Sequence, residues 1–222
     1  YQQNLEHMVA KQTEKIRNSL KEKEILLREV NHRVKNNLNV IISLLNLKAE
    51  AIHSEKNAIE AFEESRDLVY SMAMVHEELY QSNDFTKISI KGYIENLVAK
   101  MIEIYQPSIK IKYNQHIDDV NIGITKAIPF GMILTELVTN TLKHAFNNKN
   151  EDGLLEISCI KLETGIFYIT VKDNGSGISG DIDIQNPKSS GLQLVNILTS
   201  QIEGKISAKK GNGTEFIISF PE

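Results

Sequence analysis

The chain is poor in the residues that would commit it to several common classes. Its 222 residues include one cysteine, Cys159, so no internal disulfide can form and a reducing compartment is expected. Cys159 lies in the apolar run Ile157-Ser158-Cys159-Ile160 and reads as strand core. A basic surplus is also missing. The formal charge of -4 offers nothing to track a phosphate backbone, so no nucleic-acid partner is expected. No apolar run approaches the roughly 20 residues of a membrane span, and the start lacks a signal-peptide pattern. The chain therefore reads as cytoplasmic, and its opening on Tyr1 reads as the C-terminal part of something longer. The length allows one large or two small domains, each able to bury a core.

Glycine and proline are absent from residues 1–52. Apolar residues recur there at steps of three and four: Leu5, Met8, Val9, Ile16, Leu20, Ile25, Leu27, Val30. That pattern predicts one long helix, which needs a partner to be stable. Its first half is thinly apolar and dense in Lys, Glu and Gln, as in a two-stranded coiled coil. From Leu26 to Leu47 the apolar content rises, as in a thicker bundle. After a polar break at residues 53–57, a second helix carries Ile59, Phe62, Ser65, Val69, Met72, His76 and Leu79 on one stripe and ends near Ser82. Two such helices with a short link make an antiparallel hairpin. At ~1.5 Å rise per residue, folding at about residue 55 sets residue 32 opposite residue 78, with Glu77 and Glu78 near its level. The second helix then covers the first only back to about residue 28. Upstream of that point a second copy is needed, which predicts a parallel homodimer whose coiled coil opens into a four-helix bundle.

The polar side of the first helix carries Glu29-Val30-Asn31-His32-Arg33-Val34-Lys35-Asn36-Asn37-Leu38. Counting ~100° per residue, Leu27, Val30, Val34, Leu38, Ile41 and Leu45 share an arc of roughly 80°, and His32 lies about 155° from its middle. The imidazole is thus expected to face away from the core stripe, with Arg28, Asn36 and Asn39 on its face and Glu29 one turn before. Taken alone, the pattern describes an ordinary surface histidine. The motifs in the second half of the chain change that reading.

In that second half, glycine and β-branched residues rise and strands alternate with helices. Helices are expected at about 89–104, 125–146 (with Pro129 in the first turns) and 191–202. Strands are expected at 109–113, 154–162 and 166–172, with a terminal hairpin of 205–210 and 214–220. The order predicts an α+β two-layer sandwich. On the helix from Thr125, the residues Glu136, Asn140, Lys143, His144 and Asn147 share one face. A carboxylate, an amide oxygen and an ammonium in line suit hydrated Mg2+ and a polyphosphate. By itself the same pattern describes an exposed helix face. Asp173-Asn174-Gly175-Ser176-Gly177 directly succeeds a strand. An Asp there can accept from an exocyclic amine, and the glycines let backbone approach a ligand, although Asp-Asn-Gly is also a common turn. Ser189-Ser190-Gly191-Leu192-Gln193-Leu194 sets small residues at a helix start, where free N–H groups favour phosphate. Gly211-Asn212-Gly213-Thr214 reads as a tight hairpin turn.

Taken in order behind a His-bearing hairpin, these motifs resemble the catalytic core of a sensor histidine kinase. The likeness is to the HisKA-type subgroup whose phosphoacceptor box reads His-Arg-Val-Lys-Asn-Asn-Leu, followed by a GHKL (Bergerat-fold) ATP-binding domain, and it covers roughly residues 20–222. Residues 136–144 resemble its N box, 173–177 its G1 box, 191–194 a reduced G2 box and 211–214 its last glycine turn. The resemblance implies ATP and Mg2+ as cofactors, with Asn140 on the metal, Lys143 and His144 near the phosphates and Asp173 on the adenine amino group. Glu136, Gly175, Gly177, Gly191, Leu192, Gly213 and Thr214 complete the implied site. It also implies phosphorylation of His32, relay to an Asp on a response regulator receiver domain, and an upstream sensor domain. The domains implied are a coiled-coil signalling helix at 1–27, a dimerisation and phosphotransfer domain at 28–84, and a catalytic domain at 85–222. The chain departs from commoner kinases in three places. Arg33 stands where an acid usually follows the histidine, the lid between Gly177 and Gly191 is short and lacks a Phe-rich box, and Ser189 and Gln193 replace glycines. Glu29, Glu77 or Glu78 is expected to orient His32, and Asn36 to serve dephosphorylation. The alternatives are a dimeric scaffold that binds nucleotide only to switch shape, and an ATP-hydrolysing relative in which Glu136 activates water.

Overall fold

The computed structural model describes His7, residues 11–18, Leu20, and residues 55–222 other than 82–86, 108, 147–151, 178–183, 185, 186 and 188. Residues 11–18 are helical, as expected of the long first helix. The remainder of that helix lies outside the described residues, and with it Glu29, His32 and Asn36. So do Asn147, the side chain of Glu78 and most of the segment between Gly177 and Ser189.

The first long element, α1, is described over Glu55–Gln81, and its expected end near Ser82 lies outside the described residues. It is apolar on two faces. One face is buried and carries Leu68, Met72 and Val75 together with the polar Asp67 and Ser71. The other leaves Ile59, Val69 and Phe62 exposed, Phe62 at 76%. The stripe expected from the sequence is therefore divided, with Met72 on the buried side and Ile59, Phe62 and Val69 on the open one. The buried face escapes a period count because Asp67 and Ser71 interrupt it with polar groups.

A short strand β1 (Lys87–Ser89) leads into α2 (Ile90–Tyr105). Ser89 caps α2 by accepting from the Gly92 N–H, and the helix stops at Gln106 in a left-handed conformation, φ 39°. Next come β2 (Ile111–Ile117) and β3 (Asn121–Gly123), the latter paired antiparallel with β1. This two-stranded sheet is absent from the sequence expectation, because three-residue strands are too short to show a period of two. β2 starts later than expected and runs on through Asn114, Gln115 and His116, whose polarity hides it.

α3 (Ile124–Asn140) carries Pro129 near its start and passes at Thr141–Ala145 into a turn of π-helix. Strands β4 (Gly153–Lys161) and β5 (Ile166–Asp173), helix α4 (Ser190–Gln201) and the hairpin β6 (Lys205–Gly211) and β7 (Gly213–Pro221) complete the chain. The main sheet has the order β2-β4-β5-β7-β6, with β2 and β4 parallel and the other pairs antiparallel. Burial alternates along β4, β5 and β7, so one sheet face is core and the other is open. Ile157, Cys159, Phe167, Ile169, Val171, Ile218 and Phe220 form the buried face. Phe130 of α3 meets Phe220 at 5.9 Å between ring centroids, and Phe220 stacks on Phe167 at 5.2 Å. The α+β two-layer sandwich expected from the sequence is the architecture observed.

α1 packs on this sandwich. Ser71 Oγ and the Tyr93 hydroxyl are hydrogen bonded at 3.0 Å in the interior, beside Gly131 of α3. A side chain at 131 would run into the Tyr93 hydroxyl, so glycine here is what admits the contact.

Candidate nucleotide site

α3 is buried from Ala127 through Thr139 and reaches the surface only at its end, where its polar groups face a cleft. Asn140, Thr141, His144 and Ala145 form one wall of that cleft, which has a volume of about 530 Å³. The π turn explains why the expected one-faced row is dispersed. With more than four residues per turn, groups three apart no longer align, while groups four apart still do. Asn140 and His144 reach the cleft. Lys143 does not line it and instead holds its ammonium over the Tyr105 ring, 5.1 Å from the centroid. Glu136 is buried under the start of α4, where its carboxylate lies against Gly191 so closely that any side chain there would collide with it.

The floor is Asp173, at the C-terminal end of the central strand β5 and buried. Its Oδ1 accepts from the Gly175 N–H at 2.8 Å and the Thr214 N–H at 3.2 Å, which fixes the rotation of the carboxylate and hence the direction of Oδ2. Gly213 makes this possible. It has φ 105°, and a Cβ would strike the Asp173 carbonyl. Asn174 turns the chain by accepting from the Leu154 N–H at 2.8 Å through its side chain. The loop is then tied to the π turn, with the Ser176 N–H donating to the Ala145 carbonyl at 2.8 Å and Gly175 pressed against that same carbonyl.

The far wall is the start of α4. Ser189 caps the helix by accepting from the Leu192 N–H, and both residues line the cleft with Gly177. Lys210, Ser176 and Phe216 line it as well, and Lys210 is a cation that the sequence motifs do not single out. The available signals are small. Lys210 directly precedes the glycine turn, and Phe216 lies two residues beyond Thr214, on the same sheet face. Among the described residues no group of three or more His, Cys, Asp or Glu side chains could hold a metal. Asn140 offers an amide oxygen at the cleft, which suits a hard cation that keeps most of its ligands as water or phosphate. A cleft of this size with a pinned carboxylate at its floor and a helix start at its rim matches a purine nucleotide in volume and polarity.

Comparisons with known proteins agree with this geometry. Residues 29–105 match the family model HisKA_2, described as histidine kinase. Residues 125–222 match the family described as histidine kinase-, DNA gyrase B-, and HSP90-like ATPase. The sensor histidine kinase PdtaS of Mycolicibacterium smegmatis is 30% identical over 209 residues, 91% of this chain and 41% of that protein. Blue-light-activated histidine kinase 2 of Erythrobacter litoralis is 26% identical over 196 residues, 87% of this chain and 55% of that one. Among solved structures, the blue-light activated histidine kinase of Erythrobacter litoralis superposes with a TM-score of 0.71 at 26% identity, covering 88% of this chain and 58% of that chain. Its separate histidine kinase domain, at 19% identity, shares the fold with a TM-score of 0.65. The chain spans about two fifths of the length of the PdtaS proteins it matches. Among the described residues, no helix is long and apolar enough to cross a membrane. The chain thus belongs to the histidine kinases, of which it carries the HisKA_2 region and, after it, the ATPase domain.

Proposed function

We propose that the chain is the catalytic core of a two-component sensor kinase, which phosphorylates His32 from Mg-ATP and passes the phosphoryl group to an aspartate of a response regulator receiver domain. The observation that carries this reading is the cleft of α3, the π turn and α4 over Asp173, in an ATPase-family domain that comes after a HisKA_2 segment. Asp173 Oδ2 takes the adenine amino group, while Gly175, Gly177, Gly213 and Thr214 bring backbone close to the base. Gly191 and Leu192 at the start of α4 face the phosphates, as does His144. Asn140 holds Mg2+, which when bound neutralises charge on the phosphate chain. Glu136 positions the α4 start through its packing on Gly191, and Lys143 adds a cation at the phosphates.

A ring nitrogen of His32 attacks the γ-phosphorus in line, a P–N bond forms, and the bond to the ADP oxygen breaks. Phosphoryl transfer depends on positioning and charge neutralisation more than on covalent help, so the imidazole needs orientation above all. Glu29 supplies that orientation, or else Glu77 or Glu78, by accepting the N–H of the other ring nitrogen. Asn36, one helical turn on, holds the water that hydrolyses the regulator's aspartyl phosphate. Asn36→Ala would slow that hydrolysis and leave His32 phosphorylation intact, and a parallel fall in both would remove the role. The functional division is 1–27 as signalling helix, 28–84 as dimerisation and phosphotransfer region, and 85–222 as catalytic domain. The chain acts as a homodimer in the cytoplasm, under a sensor domain upstream. Incubation with radiolabelled ATP tests the reading. A kinase acquires acid-labile, alkali-stable label, a nucleotide-binding scaffold acquires none, and a hydrolase releases free phosphate even with His32 replaced.

A further inference from the structure

Tyr105 is the last residue of α2 and the last of the matched HisKA_2 segment. Two other elements meet its side chain. Its hydroxyl donates to Asp67 Oδ2 of α1, and Asp67 is buried, with its Oδ1 accepting from the Arg66 guanidinium at 2.9 and 3.1 Å. Its ring carries the Lys143 ammonium from the π turn at 5.1 Å. Burial first, and then the hydrogen bond to Asp67, push the phenol well above its ordinary value, so it remains a neutral donor. A phenol that donates to a carboxylate is richer in ring electron density, so the two contacts strengthen each other. Lys100 over the Tyr70 ring at 5.9 Å and the Ser71–Tyr93 pair hold the same two helices together.

We infer that Tyr105 is a positioning residue that couples the docking of α1 to the nucleotide site, by holding Lys143 beside the cleft for as long as Asp67 holds Tyr105. The inference rests on the proposed function, in which Lys143 serves the phosphates. With α1 docked, Lys143 lies on Tyr105 and outside the cleft lining. When α1 leaves, the hydroxyl loses Asp67, the ring is released, and the lysine can turn toward bound nucleotide. By linkage, nucleotide that draws Lys143 away loosens α1 to the same degree.

The test is Mg-ATP affinity of the full chain, measured for Tyr105→Leu, Tyr105→Phe and Asp67→Asn, each with Lys143 present and with Lys143→Ala. Loss of the ring in Tyr105→Leu should tighten binding roughly two- to fivefold, the range of an exposed to partly exposed cation–π contact. Tyr105→Phe keeps the ring and should give a smaller gain, matched by Asp67→Asn. All three gains should vanish in the Lys143→Ala background, which a merely structural role for Tyr105 does not predict. Equal gains with and without Lys143, or no gain at all, overturn the inference and leave the functional reading standing. Lys143→Ala with unchanged affinity overturns both the role of Lys143 and the inference built on it. If Tyr105→Leu fails to fold, the two conservative variants decide the same question.

Discussion

In the proposed site, nucleotide specificity rests on one carboxylate, Asp173. Because two backbone N–H groups fix its Oδ1, the remaining oxygen is an acceptor of set direction. Asp173→Asn can keep the pinned oxygen but turns the other position into a donor. An adenine amino group, itself a donor, is then opposed by a donor, whereas a guanine carbonyl would accept from it. We expect ATP affinity to fall about five- to 150-fold, in line with about 1–3 kcal/mol for a buried unmatched polar group, with a shift of preference toward GTP. Isothermal titration with both nucleotides checks it, and unchanged ATP binding would take Asp173 out of the base pocket. Cys159 shows the opposite use of burial. Burial, with Asp118 adding to it, pushes the thiol up to about 12. A raised folded value favours the neutral thiol. Its contribution to stability is therefore complete below the ordinary thiol value of 9.0 and is lost as pH rises from there toward about 12. The native protein should resist iodoacetamide at pH 8, and its unfolding free energy in urea should decline across that alkaline window less steeply in Cys159→Ala.

At the scale of elements, the helix α1 is packed on the ATPase sandwich. Leu68, Met72 and Val75 are buried around the Ser71–Tyr93 hydrogen bond, and Gly131 leaves room for both side chains. Gly131→Ala puts a methyl group where the Tyr93 hydroxyl lies. A strain of about 1–3 kcal/mol is expected, measured as a lowered urea midpoint, and protease cleavage within α1 should become easier. A midpoint equal to wild type would mean that Tyr93 has space the packing does not suggest. The elements also mark how far the residues alone can be read. The start of α2 near Ser89, the ends of α2 and α4 and the terminal hairpin are legible to within a residue or two, because helical and period-two patterns act locally. The mini-sheet of β1 and β3 is not, since three residues carry no period. The π turn is not either, and it separates Lys143 from Asn140 and His144. A sequence read at 100° per residue has no mark for a turn that widens.

At the scale of the molecule, the order of the motifs is enough to name the family, because each block is ambiguous alone while the sequence of blocks is not. The site is legible in its strand-end carboxylate, its glycines and its helix start. Lys210 and Tyr105 are not, because they reach the site's surroundings only through tertiary packing. The open face of α1, with Ile59, Phe62 and Val69 exposed, agrees with the proposed bundle of two chains. Sedimentation equilibrium should give about twice the 25.1 kDa chain mass, and a monomer at micromolar concentration would contradict the bundle. In the proposed reaction, His32 receives phosphate from ATP bound in the Asp173 cleft. Its most direct test is phosphosite mapping by mass spectrometry after incubation with Mg-ATP, under alkaline conditions that preserve phosphohistidine. Phosphate is expected on His32 alone, and none in His32→Gln, which should bind ATP as well as wild type. Phosphate on His7, His53, His76, His116 or His144, or undiminished incorporation in His32→Gln, would contradict it.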